Sequence, residues 1–116
     1  MSVVNVRVKN IRPRYQDLEE WMKNPKNVYV GRRGVVIING RRFPPKDSMF
    51  ANPFKIDTDN PREIVIKKYK KYIIEKIKND ENYETAFLNL KGKNLGCWCA
   101  PEPCHADVLM KLLDNY

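Results

Sequence analysis

Val4, Val6 and Val8 alternate with Asn5 and Arg7, a period of two that predicts a half-buried strand at the start of the chain. Tyr15, Leu18, Trp21 and Met22 then recur at helical spacing between Pro13 and Pro25. They predict a short amphipathic helix that ends at Asn24, because a residue before proline avoids the α region. Asn27 to Gly31 reads as a second strand. Val35–Ile38 and Arg41–Phe43 flank Asn39-Gly40, the dipeptide best suited to the positive φ angles of a type I′ hairpin turn. Lys46 to Asp59 follows as an irregular loop, and its Met49, Phe50 and Phe54 have to pack onto the body of the protein.

Helical periodicity returns at Asn60. Asn60 is placed to cap, Pro61 suits the first helical position and Glu63 stands where a capping box wants it. Ile66, Tyr69, Ile73 and Ile77 form the stripe expected to be buried, with Lys67, Lys68, Lys70 and Lys71 on the solvated face. Tyr83, Ala86, Phe87 and Leu90 carry a shorter helix that Gly92 terminates. Asn94 to Trp98 reads as a buried strand, and Val108, Leu109, Leu112 and Leu113 define a closing helix from about Pro103. Strands alternating with helices predict a single small α/β domain over residues 1–116, its mixed or partly parallel sheet flanked by helices and carrying a β-hairpin insertion.

The chain has 116 residues, with 22 Lys and Arg against 14 Asp and Glu, a formal net charge of +8. That field attracts polyanions, so a nucleotide or nucleic acid is the expected partner. No apolar run approaches a membrane span and the first residues lack a secretory core, which predicts a cytoplasmic protein without a membrane partner.

The chemistry concentrates in Cys97-Trp98-Cys99-Ala100-Pro101-Glu102-Pro103-Cys104-His105, which holds all three cysteines and the single histidine. Three readings compete. In the first, Cys104 and His105 are catalytic at the first turn of the closing helix, where free amides and the helix dipole favour a thiolate. One residue apart on a helix, the two side chains point about a hundred degrees apart and need not touch. Arg32 and the helix amides would hold a phosphate, Gly31 and Gly34 would let the backbone approach that anion, and Asn52 would orient the ligand. In the second, Cys97, Cys99, Cys104 and His105 form a Cys₃His ligand set, which implies zinc in a non-catalytic module with a basic surface for nucleic acid or a protein partner. In the third, the cysteines are core residues of a structural or assembly component. Haem attachment through Cys99-x₄-Cys104-His105 is a remote fourth.

Val28-Tyr-Val-Gly-Arg32, Asn52-Pro-Phe54, Arg62-Glu63, Lys91-Gly-Lys-Asn-Leu95 and the closing Cys-Trp-Cys-x-Pro-x-x-Cys-His-x-Asp pattern together resemble a small family. That family is a domain of unknown function seen in bacteria, phages and large DNA viruses. In a viral chain the expected compartment is the host cytoplasm. Relative to that family, Phe50-Ala51 replaces Trp-Gly, Ala106 replaces Gly, and the Gly34–Phe43 hairpin looks inserted. The resemblance marks Arg32, Asn52, Phe54, Trp98 and Asp107 as candidate ligand-binding positions and implies no particular reaction.

Overall fold

A computed structural model describes residues 2–99 and 102–116. The chain runs β1 (Val3–Asn5), α1 (Val8–Ile11), α2 (Leu18–Lys23), β2 (Asn27–Tyr29), β3 (Val36–Ile38), β4 (Arg41–Phe43), α3 (Arg62–Asn79), α4 (Glu81–Leu88), β5 (Asn94–Cys97) and α5 (His105–Leu113). β5 lies between β1 and β2 and is parallel to both, while β3 and β4 form a separate antiparallel pair. The fold is therefore mixed α/β, as the alternation of patterns predicts.

All three parallel strands end at one edge, which fixes where a site can be built. β5 has the burial of a central strand, with Leu95, Gly96 and Cys97 all buried. Its alternation sorts two cores. Leu95 and Cys97, with Val30, pack under α3, α4 and α5; Val6, Leu18, Trp21 and Tyr29 pack on the opposite face. Gly96 faces that second core. A Cβ there would stand 2.6 Å from the Trp21 ring, so the strand passes Trp21 only as glycine.

Several local expectations shift, each for a visible reason. Val8 leaves the first strand: after Val6, whose N–H donates to the Cys97 carbonyl (3.0 Å), the chain turns into the single turn of α1. The second helix stops before Asn24, as Pro25 requires. The hairpin turn is as expected, with Asn39 and Gly40 both at positive φ (52° and 76°). α3 begins one residue late. Pro61 is its N-cap, whereas Asn60 donates to the Asp57 carboxylate and accepts from Lys68, so the capping box is not formed. Its buried stripe has Val65 in place of Ile66 ahead of Tyr69, Ile73 and Ile77, with Ile66 partly buried. Lys67, Lys68, Lys70 and Lys71 are exposed. In the loop before α3, Phe50 is buried and Phe54 packs against the core as expected, but the Met49 side chain is exposed; the loop is held there by its backbone, the Tyr69 hydroxyl donating to the Phe50 carbonyl (2.5 Å) and the Tyr83 hydroxyl to that of Met49 (3.0 Å). In α5, Leu112 is only half-buried. Among the described residues no helix is long and apolar enough to cross a membrane.

Candidate functional site

The carboxyl ends of β2 and β5, the first turn of α3 and the start of α5 enclose a cleft of roughly 460 Å³. In open parallel sheets this edge is where ligands gather. Arg32, Asn52, Phe54, Trp98, Cys99, Cys104 and His105 all line the cleft, so residues far apart in sequence meet where the closing helix begins.

β2 delivers Arg32. Its Nε donates to the Asn52 carbonyl (3.0 Å) and its Nη2 to the Phe54 carbonyl (2.9 Å), clamping the loop that forms one wall. The Asn52 side chain is a turn former, its Oδ1 accepting from the Phe54 N–H (2.9 Å) at the wall of the cleft. The Phe54 ring stands edge-on to Tyr72 (5.9 Å). Gly31 is required for a different reason from anion approach, since a Cβ there would lie 2.6 Å from Cζ of Tyr29. The amide of Arg33 is already met by the Asp47 carboxylate (2.8 Å).

Tyr29 organises the mouth of the cleft, a role its sequence context does not announce. Its hydroxyl donates to the Arg32 carbonyl (2.8 Å) and accepts from Trp98 Nε1 (3.2 Å). Burial pushes the phenol up to about 12, so it remains a donor across the physiological range.

At α5, Cys104 is the N-cap in extended conformation (φ −142°, ψ 157°), outside the helix proper. The hundred-degree step between consecutive helical residues therefore does not apply, and Cys104 Sγ and His105 Nδ1 are 3.4 Å apart. His105 Nε2 lies 2.6 Å from the Val30 carbonyl. A carbonyl can only accept, so Nε2 carries the proton and Nδ1 presents its lone pair to Cys104. Burial lowers the His105 pKa, which keeps the ring neutral. Asp107 closes the helix start: its Oδ2 accepts from the Cys104 N–H (2.9 Å), so the chain's own carboxylate stands where the anion was expected. Asp107→Ala should cost about 1 kcal/mol, a fall of about 4 °C in Tm. Asp107→Asn should recover most of the loss in a thermal melt, since it keeps an acceptor.

The three sulfurs differ sharply. Cys97 and Cys104 are 1% and 2% exposed, whereas Cys99 is half-buried at the cleft. The Cys104 pKa is raised, first by its hydrogen bonds to Cys97 and Cys99 and then by burial, so it stays a thiol. The Cys99 pKa is lowered to about 6, first by the hydrogen bond from Cys104 and then by the guanidinium of Arg62, with Arg32 adding its charge. Arg62 is at the same time anchored through Nη1 to the Pro103 carbonyl (2.9 Å). The thiolate of this site is thus Cys99, with Cys104 as its donor. Sequence reasoning favoured Cys104 because the helix dipole was the legible signal; the guanidinium that stabilises Cys99 comes from a helix thirty-seven residues earlier.

Among the described residues no group of three or more His, Cys, Asp or Glu is placed to hold a metal ion. Cys104 is closed to haem attachment. The turn expected around Ala100 and Pro101 lies outside the described residues.

Comparison with known proteins returns relatives of uncharacterised role. The chain is 38% identical over 54 residues to an uncharacterised 12.4 kDa protein in the nrdA-td intergenic region of Enterobacteria phage T4, a match covering 47% of this chain and 50% of that protein. It is 35% identical over 101 residues to the uncharacterised protein R718 of Acanthamoeba polyphaga mimivirus, covering 78% of this chain and 71% of that protein. The aligned segment therefore spans only half the length of the phage relative. No solved structure matches. The family model that matches residues 14–115 embraces both the cleft and the elements that build it, and by that match the chain belongs to the family described as Domain of unknown function (DUF4326).

Proposed function

We propose that this chain binds a phosphate-bearing ligand, a nucleotide or nucleic-acid fragment, in the cleft at the carboxyl ends of β2 and β5, with Cys99 as its reactive group. The observation that carries the reading is the meeting of two guanidiniums, Arg32 and Arg62, with the half-buried Cys99 sulfur in a partly apolar cleft. Guanidinium forks match phosphate oxygens, and each still has N–H groups beyond those bonded to carbonyls. Phe54, Val65 and Ile66 offer an apolar wall for a base, and 460 Å³ lies within the range of small-ligand sites. Cys104 and His105 then act through Cys99: the thiol donates to it, and the neutral imidazole fixes the start of α5 against Val30.

Titration with the four nucleoside 5′-monophosphates, followed by backbone NMR, tests this. Shifts should concentrate at Gly31, Cys99 and His105. Arg62→Gln should weaken binding by about ten- to a hundredfold, the worth of one charge-assisted hydrogen bond. Shifts confined to the Arg41–Arg42 end of the hairpin, or no binding at all, would refute the proposal.

A further inference from the structure

The carboxyl end of β5 has two sides. The cleft occupies the side toward β2. On the side toward β1 lies a second, more open groove of about 900 Å³, lined by Arg7, Lys9, Glu102 and, shared with the cleft, Arg62, Trp98 and Cys99. β1 is parallel to β5, so its exit places Arg7 and Lys9 at the same edge as Arg32. The Arg7 guanidinium stands 6.0 Å from the centre of the Trp98 ring, beside the Tyr29 hydroxyl that holds the indole N–H. Cleft and groove are thus continuous across Trp98 and Cys99.

Resting on the nucleotide reading above, we propose that the ligand is a single strand of nucleic acid laid across the end of β5, one nucleotide in the cleft and the adjoining phosphates in the groove. The division of character supports it. The cleft has apolar walls fit for an unstacked base. The groove has three cations against the Glu102 carboxylate, the balance that tracks a phosphodiester backbone. A free mononucleotide would leave the groove without a use. A base held in a duplex would have to leave its stack to enter the cleft, whereas a single strand presents it unpaired.

The test compares fluorescein-labelled random octamers, DNA and RNA in separate arms, with the four 5′-monophosphates as competitors. The octamers should bind at least about a hundredfold more tightly than any monophosphate. Lys9→Gln, an exposed change outside the cleft, should reduce the slope of log affinity against log salt by about 0.7 and leave monophosphate binding unaltered. A preference between the DNA and RNA arms identifies which strand is the ligand. Equal affinity for monophosphates and octamers, with Lys9→Gln silent, would overturn the strand inference and leave the nucleotide site standing. Octamer binding sensitive to Lys9→Gln but indifferent to Arg62→Gln would remove the cleft from the path and overturn the strand inference, while the monophosphate titration alone decides the nucleotide site.

Discussion

Iodoacetamide will label one cysteine of the native protein, Cys99, and at pH 5.5 it will do so about twentyfold faster than it labels an unperturbed thiol. The figure follows from two opposed effects. With a pKa of about 6, roughly a quarter of Cys99 is thiolate at pH 5.5, against roughly a thousandth of a thiol of pKa about 8.5. That advantage, about 240-fold, is cut about thirteenfold because a less basic thiolate is a poorer nucleophile. At pH 7 the same arithmetic leaves only a two- to threefold difference, so a rate at neutral pH says little and the profile is the measurement.

The sign of the profile is fixed by the depressed pKa. Reactivity should be level above about pH 7 and fall as the pH drops through about 6, where an ordinary thiol keeps rising until about 8.5. Arg62→Gln removes a hydrogen bond and a positive charge, and Cys104→Ala removes the hydrogen bond that lowers the pKa most; each should move the midpoint upward. Cys99→Ser should leave the native protein unlabelled, because Cys97 and Cys104 are closed to solvent. A midpoint near 8.5 in the wild type, or modification of Cys104 before Cys99, would sink the assignment of Cys99 as the reactive position.

How far the sequence foretold this site depends on the range of the forces involved. Element types were legible because they rest on local periodicity and punctuation: the Asn39-Gly40 turn, the proline that ends α2 and the glycine after α4 are short-range signals. The convergence of Arg32, Asn52 and His105 was also within reach, since parallel strands bring their carboxyl ends to one edge. Individual roles were not. Asn52 and Asp107 each carry a side chain equally fit to hold a ligand or a backbone amide, and only the folded positions of Phe54 N and Cys104 N show that one oxygen of each is held by the backbone. The choice between Cys99 and Cys104 turned on Arg62, whose place in α3 has no local link to either cysteine. Tyr29 was hidden for a similar reason: as a strand residue it reads as core, and its hydroxyl partners, Arg32 and Trp98, are set by tertiary packing.

Gly96→Ala should destabilise the protein by about 3 kcal/mol, lowering Tm on the order of 10 °C, although it adds a single methyl group. The added Cβ would meet Trp21 Cη2 at 2.6 Å, Trp21 Cζ3 at 2.7 Å and Val6 Cγ1 at 2.8 Å, all inside van der Waals contact. None of these atoms can retreat cheaply: Trp21 is 2% exposed and Val6 fully buried, in a core that also holds Leu18 and Tyr29. The strand cannot retreat either, since the Gly96 carbonyl accepts from Val30 N–H (3.0 Å) and β5 is paired on both sides. Val30 is the residue whose carbonyl meets His105, so movement of β5 would reach the cleft. Trp21→Phe removes the two indole atoms in the clash and supplies the control. Alone it should cost stability through lost burial; combined with Gly96→Ala it should cost less, with a coupling above about 1 kcal/mol in a double-mutant cycle read by thermal or urea unfolding. If the two changes simply add, the sheet is not held against Trp21 through Gly96, and the tight passage of β5 that sets Cys99 at the cleft must have another cause.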